Sequence, residues 1–256
     1  MSSFTTISSD KLARLIGTAN TPALIDLRTD EYFAADPRLI PGAVRRKPED
    51  AADWSGEFSG RPAVVVCLRG QKLAQGSAAW LRQANAAAET LEGGFEGWKA
   101  SHLPLVPADK LPPRDARGCP WLIRRFVDPT AVFLFVAPSE VLAVGERFNA
   151  APFDVENGFW SHRGELCTFD VMVQEFGLAT PPLLRLATMV RAADTARLDL
   201  YPEAAGLLAA SLGLSRMYDD DLEQLAAGMT LYDALNRWCR DASGETHNWP
   251  TQKARS

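Results

Sequence analysis

The chain has 256 residues, of which 46% are hydrophobic and 23% charged, and a formal net charge of −5. This length exceeds the usual span of one domain, so two domains, each burying its own core, are expected. The acidic balance disfavours nucleic acid and anionic membrane surfaces as general partners, and no apolar run is long enough to cross a bilayer. The start, Met1 to Thr6, has no charged region followed by an apolar one, which points to the cytoplasm. Four cysteines, Cys67, Cys119, Cys167 and Cys239, lie scattered without CxxC spacing, a pattern of reduced thiols and not of a disulfide framework.

In chain order, Ser8-Ser9-Asp10 supplies an N-cap for a helix carrying Leu12, Leu15 and Ile16, which Gly17 is placed to end. Ala23 to Leu27 reads as a short strand. Thr29-Asp30-Glu31 opens an acidic helix that Pro37 stops, and Ile40-Pro41-Gly42-Ala43 turns into another extended segment. The β-branched run Ala63 to Val66 reads as a buried parallel strand. It breaks into the loop Cys67-Leu68-Arg69-Gly70-Gln71-Lys72, and Leu73 to Gln83 reads as a helix with the alanines of 84–88 at its end. A strand at Thr90-Leu91, a Gly93-Gly94 turn and a helix around Trp98 follow. Alternation of this kind predicts an α/β fold with a mainly parallel sheet, in which functional groups gather beyond the strand C-termini, where Cys67 falls.

Residues 109–118 lose apolar periodicity and contain Pro112-Pro113, so they read as a linker between a first domain, 1–108, and a second, 119–242. In the second, Val132 to Val136 reads as a strand, but helical patterns dominate. One helix starts at Thr180-Pro181, another at Pro202 stopping near Gly213, and a third at Asp219-Asp220-Asp221, carrying Leu222, Leu225, Met229, Tyr232, Leu235 and Trp238. The tail 243–256 is polar.

The loop at Cys67 carries the chemistry. A thiol at a strand end, facing loop amides and the positive end of a following helix, with Arg69 and Lys72 nearby, is favoured as thiolate and can hold an anion beside it. The alternative is a small apolar residue closing a core strand. In the second half His162, Glu165, Cys167 and Asp170 fall within nine residues, and Asp194 lies in a later polar break. If helical, His162 and Glu165 can meet one metal ion, with Asp170 or Asp194 completing the site; a capped helix start with a solvated histidine and paired acids explains the same residues. Arg124, Arg125 and Arg163 read either as an anion site or as partners in ion pairs.

Ile25-Asp26-Leu27-Arg28 with Glu31-Tyr32, then Ile40-Pro41-Gly42-Ala43, then Leu91-Glu92-Gly93-Gly94 with Trp98, resemble the separated signatures of a single rhodanese domain. The six-residue loop Cys67 to Lys72 resembles that family's active-site loop, with Leu39 standing where a histidine is often found. The resemblance implies an α/β rhodanese-like domain with sulfurtransferase activity. Cys67 would take sulfur from a small anionic donor such as thiosulfate, carry it as a persulfide and pass it to a thiol or cyanide acceptor, with no cofactor. Arg69 and Lys72 would neutralise developing charge, Leu68, Gly70 and Gln71 would line the substrate loop, and Asp26 and Arg28 would brace it, unless they form an ordinary structural pair.

From Cys119 onward, Cys119-Pro120-Trp121-Leu122-Ile123-Arg124-Arg125-Phe126, the run Ser161 to Asp170, and Val190-Arg191-Ala192-Ala193-Asp194 resemble the C-terminal domain of the chromate-resistance protein family. That implies a mainly α-helical second domain and a setting of chromate or oxidative stress. Chromate, a tetrahedral dianion like thiosulfate in shape and charge, could enter the Cys67 loop. The rival reading is a thiol-based redox sensor or regulatory protein without turnover, with Cys119 available as a resolving thiol.

Overall fold

The computed structural model describes residues 5–111, 119–156 and 158–245. Its first half follows the order β1 (Thr6–Ile7), α1 (Ser9–Leu15), β2 (Ala23–Asp26), α2 (Asp30–Ala35), β3 (Arg38–Leu39), β4 (Ala43–Arg45), α3 (Ala51–Trp54), β5 (Pro62–Val66), α4 (Lys72–Gln83), β6 (Ala87–Leu91), α5 (Gly94–Ala100) and β7 (Val106–Pro107). Side-chain caps start the early helices where the sequence places them. The Ser8 hydroxyl accepts from Lys11 N–H at 3.3 Å, and Thr29 accepts from Tyr32 N–H. Five strands form a parallel sheet in the order β1-β6-β5-β2-β4, while β3 and β7 pair antiparallel beside it. Val66, Asp26 and Arg45 lie in register across the sheet, so one row marks the C-terminal edge from which the Cys67 loop departs.

Strand alternation divides the core in two. Ile25, Leu27, Ala63, Val65 and Cys67 face α3 and α4, packing with Trp54, Phe58, Ala74, Ala78 and Leu81. Leu24, Val64, Val66 and Leu91 face the other way, towards Leu12, Phe95 and Trp98.

The second half comprises α6 (Pro120–Leu122), continued by a π-helical turn at Ile123–Val127, then α7 (Val141–Phe148), α8 (Thr168–Glu175), α9 (Pro181–Asp194), α10 (Ala204–Met217) and α11 (Asp221–Asp241). At the start of α11 the Asp220 carboxylate accepts from Leu222 and Glu223 N–H, both at 2.9 Å. The two halves do not keep separate cores. Leu122, Ile123, Phe126, Phe169, Leu183 and Leu186 join the same apolar cluster as Ile16, Leu24 and Trp98. The Phe126 ring packs onto Gly17, Asn236 Nδ2 donates to Gly17 O at 3.2 Å, and Arg240 Nη1 donates to Arg14 O at 3.0 Å.

Several elements depart from expectation. The alanines of 84–88 do not extend α4: Asn85 turns the chain with φ +65°, and Ala87 onward pairs in register with β5, so sheet pairing overrides the helix preference of alanine. Val132–Val136 forms no strand among the described residues, because no neighbouring strand is in place to pair with it, and Val132 and Phe135 are exposed. Gly213 does not end α10; a side chain there would meet nothing, and the surrounding leucines and alanines carry the helix on to Met217. The short helices between Pro48 and Phe58, and α7, were not expected. Residues 109–111 belong to a 3-10 turn and its exit, whereas 112–118 of the expected linker and 246–256 of the tail lie outside the described residues.

Candidate active site

Cys67 follows the last residue of β5 and is 5% exposed. Its strand is anchored by Leu27 N–H donating to Val66 O at 2.7 Å. Two amides from the start of α5 hold the loop's entry: Phe95 N–H donates to Cys67 O at 2.9 Å and Glu96 N–H to Leu68 O at 3.0 Å. The thiol then receives Gln71 N–H at 3.3 Å, at the residue before the 12-residue α4. The sulfur therefore accepts a hydrogen bond from a backbone amide at the start of a helix, where the peptide dipoles present their positive end.

Glycines permit this close apposition of two turns. Gly70 has φ +69° and Gly94 φ +60°. A Cβ on Gly70 would press into Leu91 O, and one on Gly94 would run into Cys67 O and Gly70 N and lie 2.8 Å from Arg69 N. Leu68, Gly70 and Gln71 are thereby kept on one tight turn around the thiol. Arg69 and Lys72 are exposed, and among the described residues neither makes an ion pair or side-chain hydrogen bond. The loop thus carries two exposed cations with no ion-pair partner among the described residues.

Asp26 and Arg28 are buried beneath it. Arg28 Nε donates to Asp26 Oδ2 at 2.9 Å, Nη1 donates to Asp36 O at 2.9 Å, and the guanidinium lies 3.6 Å from the centroid of the Phe95 ring. Phe95 is the residue whose amide holds Cys67 O. The pair thus reaches the loop through one intermediary, a bracing position and not a reacting one. The Gly94-Phe95 start of α5 was missed as a loop support, although the Gly93-Gly94 pair after a strand marked an unusual turn.

The candidate residues of the second half do not converge as helical spacing suggested. Segment 161–167 is not a helix but a tight turn, in which Arg163 and Leu166 exchange backbone hydrogen bonds at 3.0 and 3.1 Å. Glu165 is exposed at its tip. Asp170 is already engaged: it accepts from Cys167 N–H at 3.1 Å, capping α8, and pairs with Arg191 at 3.2 Å. His162 Nε2 does reach Asp194, at 3.2 Å, and Asp154 at 3.6 Å. Burial holds the Asp194 carboxyl above its usual pKa. Among the described residues there is no group of three or more His, Cys, Asp or Glu side chains placed to hold a metal ion.

The three arginines are likewise dispersed. Arg125 makes a two-pronged pair with Asp233, at 2.8 and 2.7 Å, which also accepts from Trp121 Nε1; Arg163 pairs with Glu175; and Arg124 donates to Ala131 O beside the Phe133 ring. Two of the three are neutralised by carboxylates, so they do not build one anion site.

The thiols of this half lie in other surroundings. Burial pushes the Cys119 thiol up to about 11, and burial together with the Asp170 carboxylate pushes Cys167 up to about 12. Cys119 packs against the apolar cluster that the Cys67 side chain does not join, and its N–H is directed to Met172 Sδ at 3.4 Å.

Comparison with known sequences agrees with this division. A family model described as "Rhodanese-like domain" matches residues 8–101, and one described as "ChrB, C-terminal domain" matches residues 110–239, just over half of the chain. The chain belongs to the ChrB C-terminal domain family. Its ChrB-type half is fused to a rhodanese-like domain, as the two sets of motifs implied. "Protein ChrB" of Cupriavidus metallidurans is 34% identical over 109 residues, a match covering 42% of this chain and 32% of the relative, so about a third of the relative's length is spanned. Among solved structures, SSP1007 of Staphylococcus saprophyticus is 27% identical, covering 37% of this chain and 93% of that one with a TM-score of 0.33. A rhodanese-like domain protein of Staphylococcus aureus is 24% identical, covering 37% and 91%, with a TM-score of 0.34. An As-Sb reductase of Leishmania major is 18% identical, covering 38% and 79%, with a TM-score of 0.32. No helix among the described residues is long and apolar enough to cross a membrane.

Proposed function

We propose that the chain is a sulfurtransferase in which Cys67 carries sulfur as a persulfide, in the setting of chromate or oxidative stress. The observation that carries this reading is the Gln71 amide on Cys67 Sγ at the start of α4, on the same loop as Arg69 and Lys72, which have no ion-pair partner among the described residues. The thiolate attacks the outer sulfur of thiosulfate, the donor's S–S bond breaks, and sulfite leaves with the electron pair. An acceptor thiolate or cyanide then takes the outer sulfur, and Cys67 leaves as thiolate. Arg69 and Lys72 offset the charge of the donor and of departing sulfite, while loop amides hold the charge on the persulfide. Chromate, of similar shape and charge, competes for the same loop.

The test is the intact mass of the protein after thiosulfate treatment. Wild type gains one sulfur and Cys67→Ser gains none. No gain in either refutes the persulfide and favours a regulatory thiol that is oxidised without turnover.

A further inference from the structure

A cavity of about 180 Å³ lies where the two halves meet, walled by Ala13, Ile16 and Trp98 from the first and by Phe126, Leu178 and Leu183 from the second. An apolar cavity of about 150 Å³ is enough to hold benzene, so this one takes a ring with small substituents. Three polar side chains also line it: Thr180, Asn236 and Arg240. Asn236 is only 4% exposed. Its Nδ2 is taken by Gly17 O, but its Oδ1 accepts no hydrogen bond among the described residues. Among the described residues Arg240 uses Nε on Asp241 and Nη1 on Arg14 O, leaving Nη2 without a partner, and the Thr180 hydroxyl makes no side-chain hydrogen bond. Asn236 and Arg240 stand four residues apart on α11 and so share one face of that helix.

An accessible amide oxygen at a cavity wall suits a ligand hydroxyl, and an open guanidinium nitrogen beside an apolar wall suits a carboxylate. We infer that the cavity between the halves binds a small aromatic carboxylic acid bearing a ring hydroxyl. The ring lies among the apolar walls, the hydroxyl donates to Asn236 Oδ1, and the carboxylate meets Arg240 Nη2 and the Thr180 hydroxyl. Such a ligand touches both halves at once and tightens their docking. The apolar walls belong to the cluster that the Cys67 side chain does not join, so the site is separate from sulfur transfer.

The probes are 3-hydroxybenzoate and phenol, which lacks the carboxylate, followed by saturation-transfer NMR and titration calorimetry on the full chain. 3-Hydroxybenzoate should bind at least about tenfold more tightly than phenol, and Arg240→Gln should remove that advantage, as expected for loss of one charged hydrogen bond. Leu183→Phe, or Ala13→Leu from the other half should the first fail to fold, fills the cavity and abolishes binding of both probes. Equal binding of the two probes, unaffected by Arg240→Gln, would reveal only a packing void. Binding that survives the filling variants, or no binding of 3-hydroxybenzoate at millimolar concentration, would also overturn the assignment.

Discussion

Replacing Gly94 by alanine should damage the active loop from outside it. The residue has φ +60°, and a left-handed backbone costs an alanine about 1–2 kcal/mol relative to glycine. Strain is only part of the cost. The new methyl would run into Cys67 O and Gly70 N, backbone atoms of the turn that surrounds the thiol, which cannot rotate aside as a side chain could. Adding that clash brings the expected loss to about 3 kcal/mol. Two sister variants separate the contributions. Gly60 shares the left-handed backbone, φ +72°, but has nothing within 4 Å of an added Cβ, so Gly60→Ala should cost only the strain, about 1 kcal/mol. Gly76 lies within α4 in open space, and Gly76→Ala should stabilise by about 0.5–1 kcal/mol. Urea denaturation measures all three, and thiosulfate-dependent mass gain reports whether Gly94→Ala still loads Cys67. If Gly94→Ala lost no more stability than Gly60→Ala, the two turns would not be in the contact described, and the account of how the loop is shaped would fail.

Arg28→Met should cost about 3–5 kcal/mol, because it leaves the Asp26 carboxylate buried without its partner, and adding Asp26→Asn should restore part of the loss; a single-variant loss below about 1 kcal/mol in chemical denaturation would contradict the burial of that pair. Asp36 accepts from Arg38 at 2.7 Å and pairs with Lys99 at 3.0 Å, and the Arg38 guanidinium foremost, then Lys99, holds its carboxyl well below the usual range. A depressed native pKa contributes stability above the unfolded value of about 3.9 and loses it as pH falls below that, so wild type should exceed Asp36→Asn by about 1 kcal/mol at neutral pH and converge with it in acid. A gap that instead widened on acidification would reverse the sign and refute the pairing. Iodoacetamide at neutral pH should modify Cys67 before Cys119 or Cys167, whose thiols burial keeps protonated; peptide mapping that finds either of those labelled first would contradict the assignment of the activated thiol.

Much of the first half was legible because its signals are local. Ser8 and Thr29 cap the helices they precede, Gly42 and Gly93-Gly94 take the positive φ angles their turns need, and the run ending at Val66 is buried as its β-branched residues suggest. The Cys67 loop was readable for the same reason: thiol, glycine, cations and helix start are contiguous. What failed depended on neighbours that sequence spacing does not show. The segment Ala84 to Ala88 has helix composition but is recruited by β5, and Val132 to Val136 has strand composition but no strand beside it. His162 and Glu165 have metal spacing only if their segment is helical, whereas a turn separates them and brings His162 to Asp194 instead. The support of the loop by Phe95, and of Phe95 by Arg28, joins three distant stretches of chain and had no linear signature.

The apolar cluster that runs from Leu24 through Trp98 to Phe126 and Leu183 crosses the seam at which one family match ends and the other begins. A cluster shared across that seam couples the stability of the two halves. A fragment cut there would carry Ile16 and Trp98 to the surface as a sticky face, and heating the whole chain should melt both halves in one step. Grafting either half onto a different companion would therefore demand a matching apolar footprint, not merely a suitable linker.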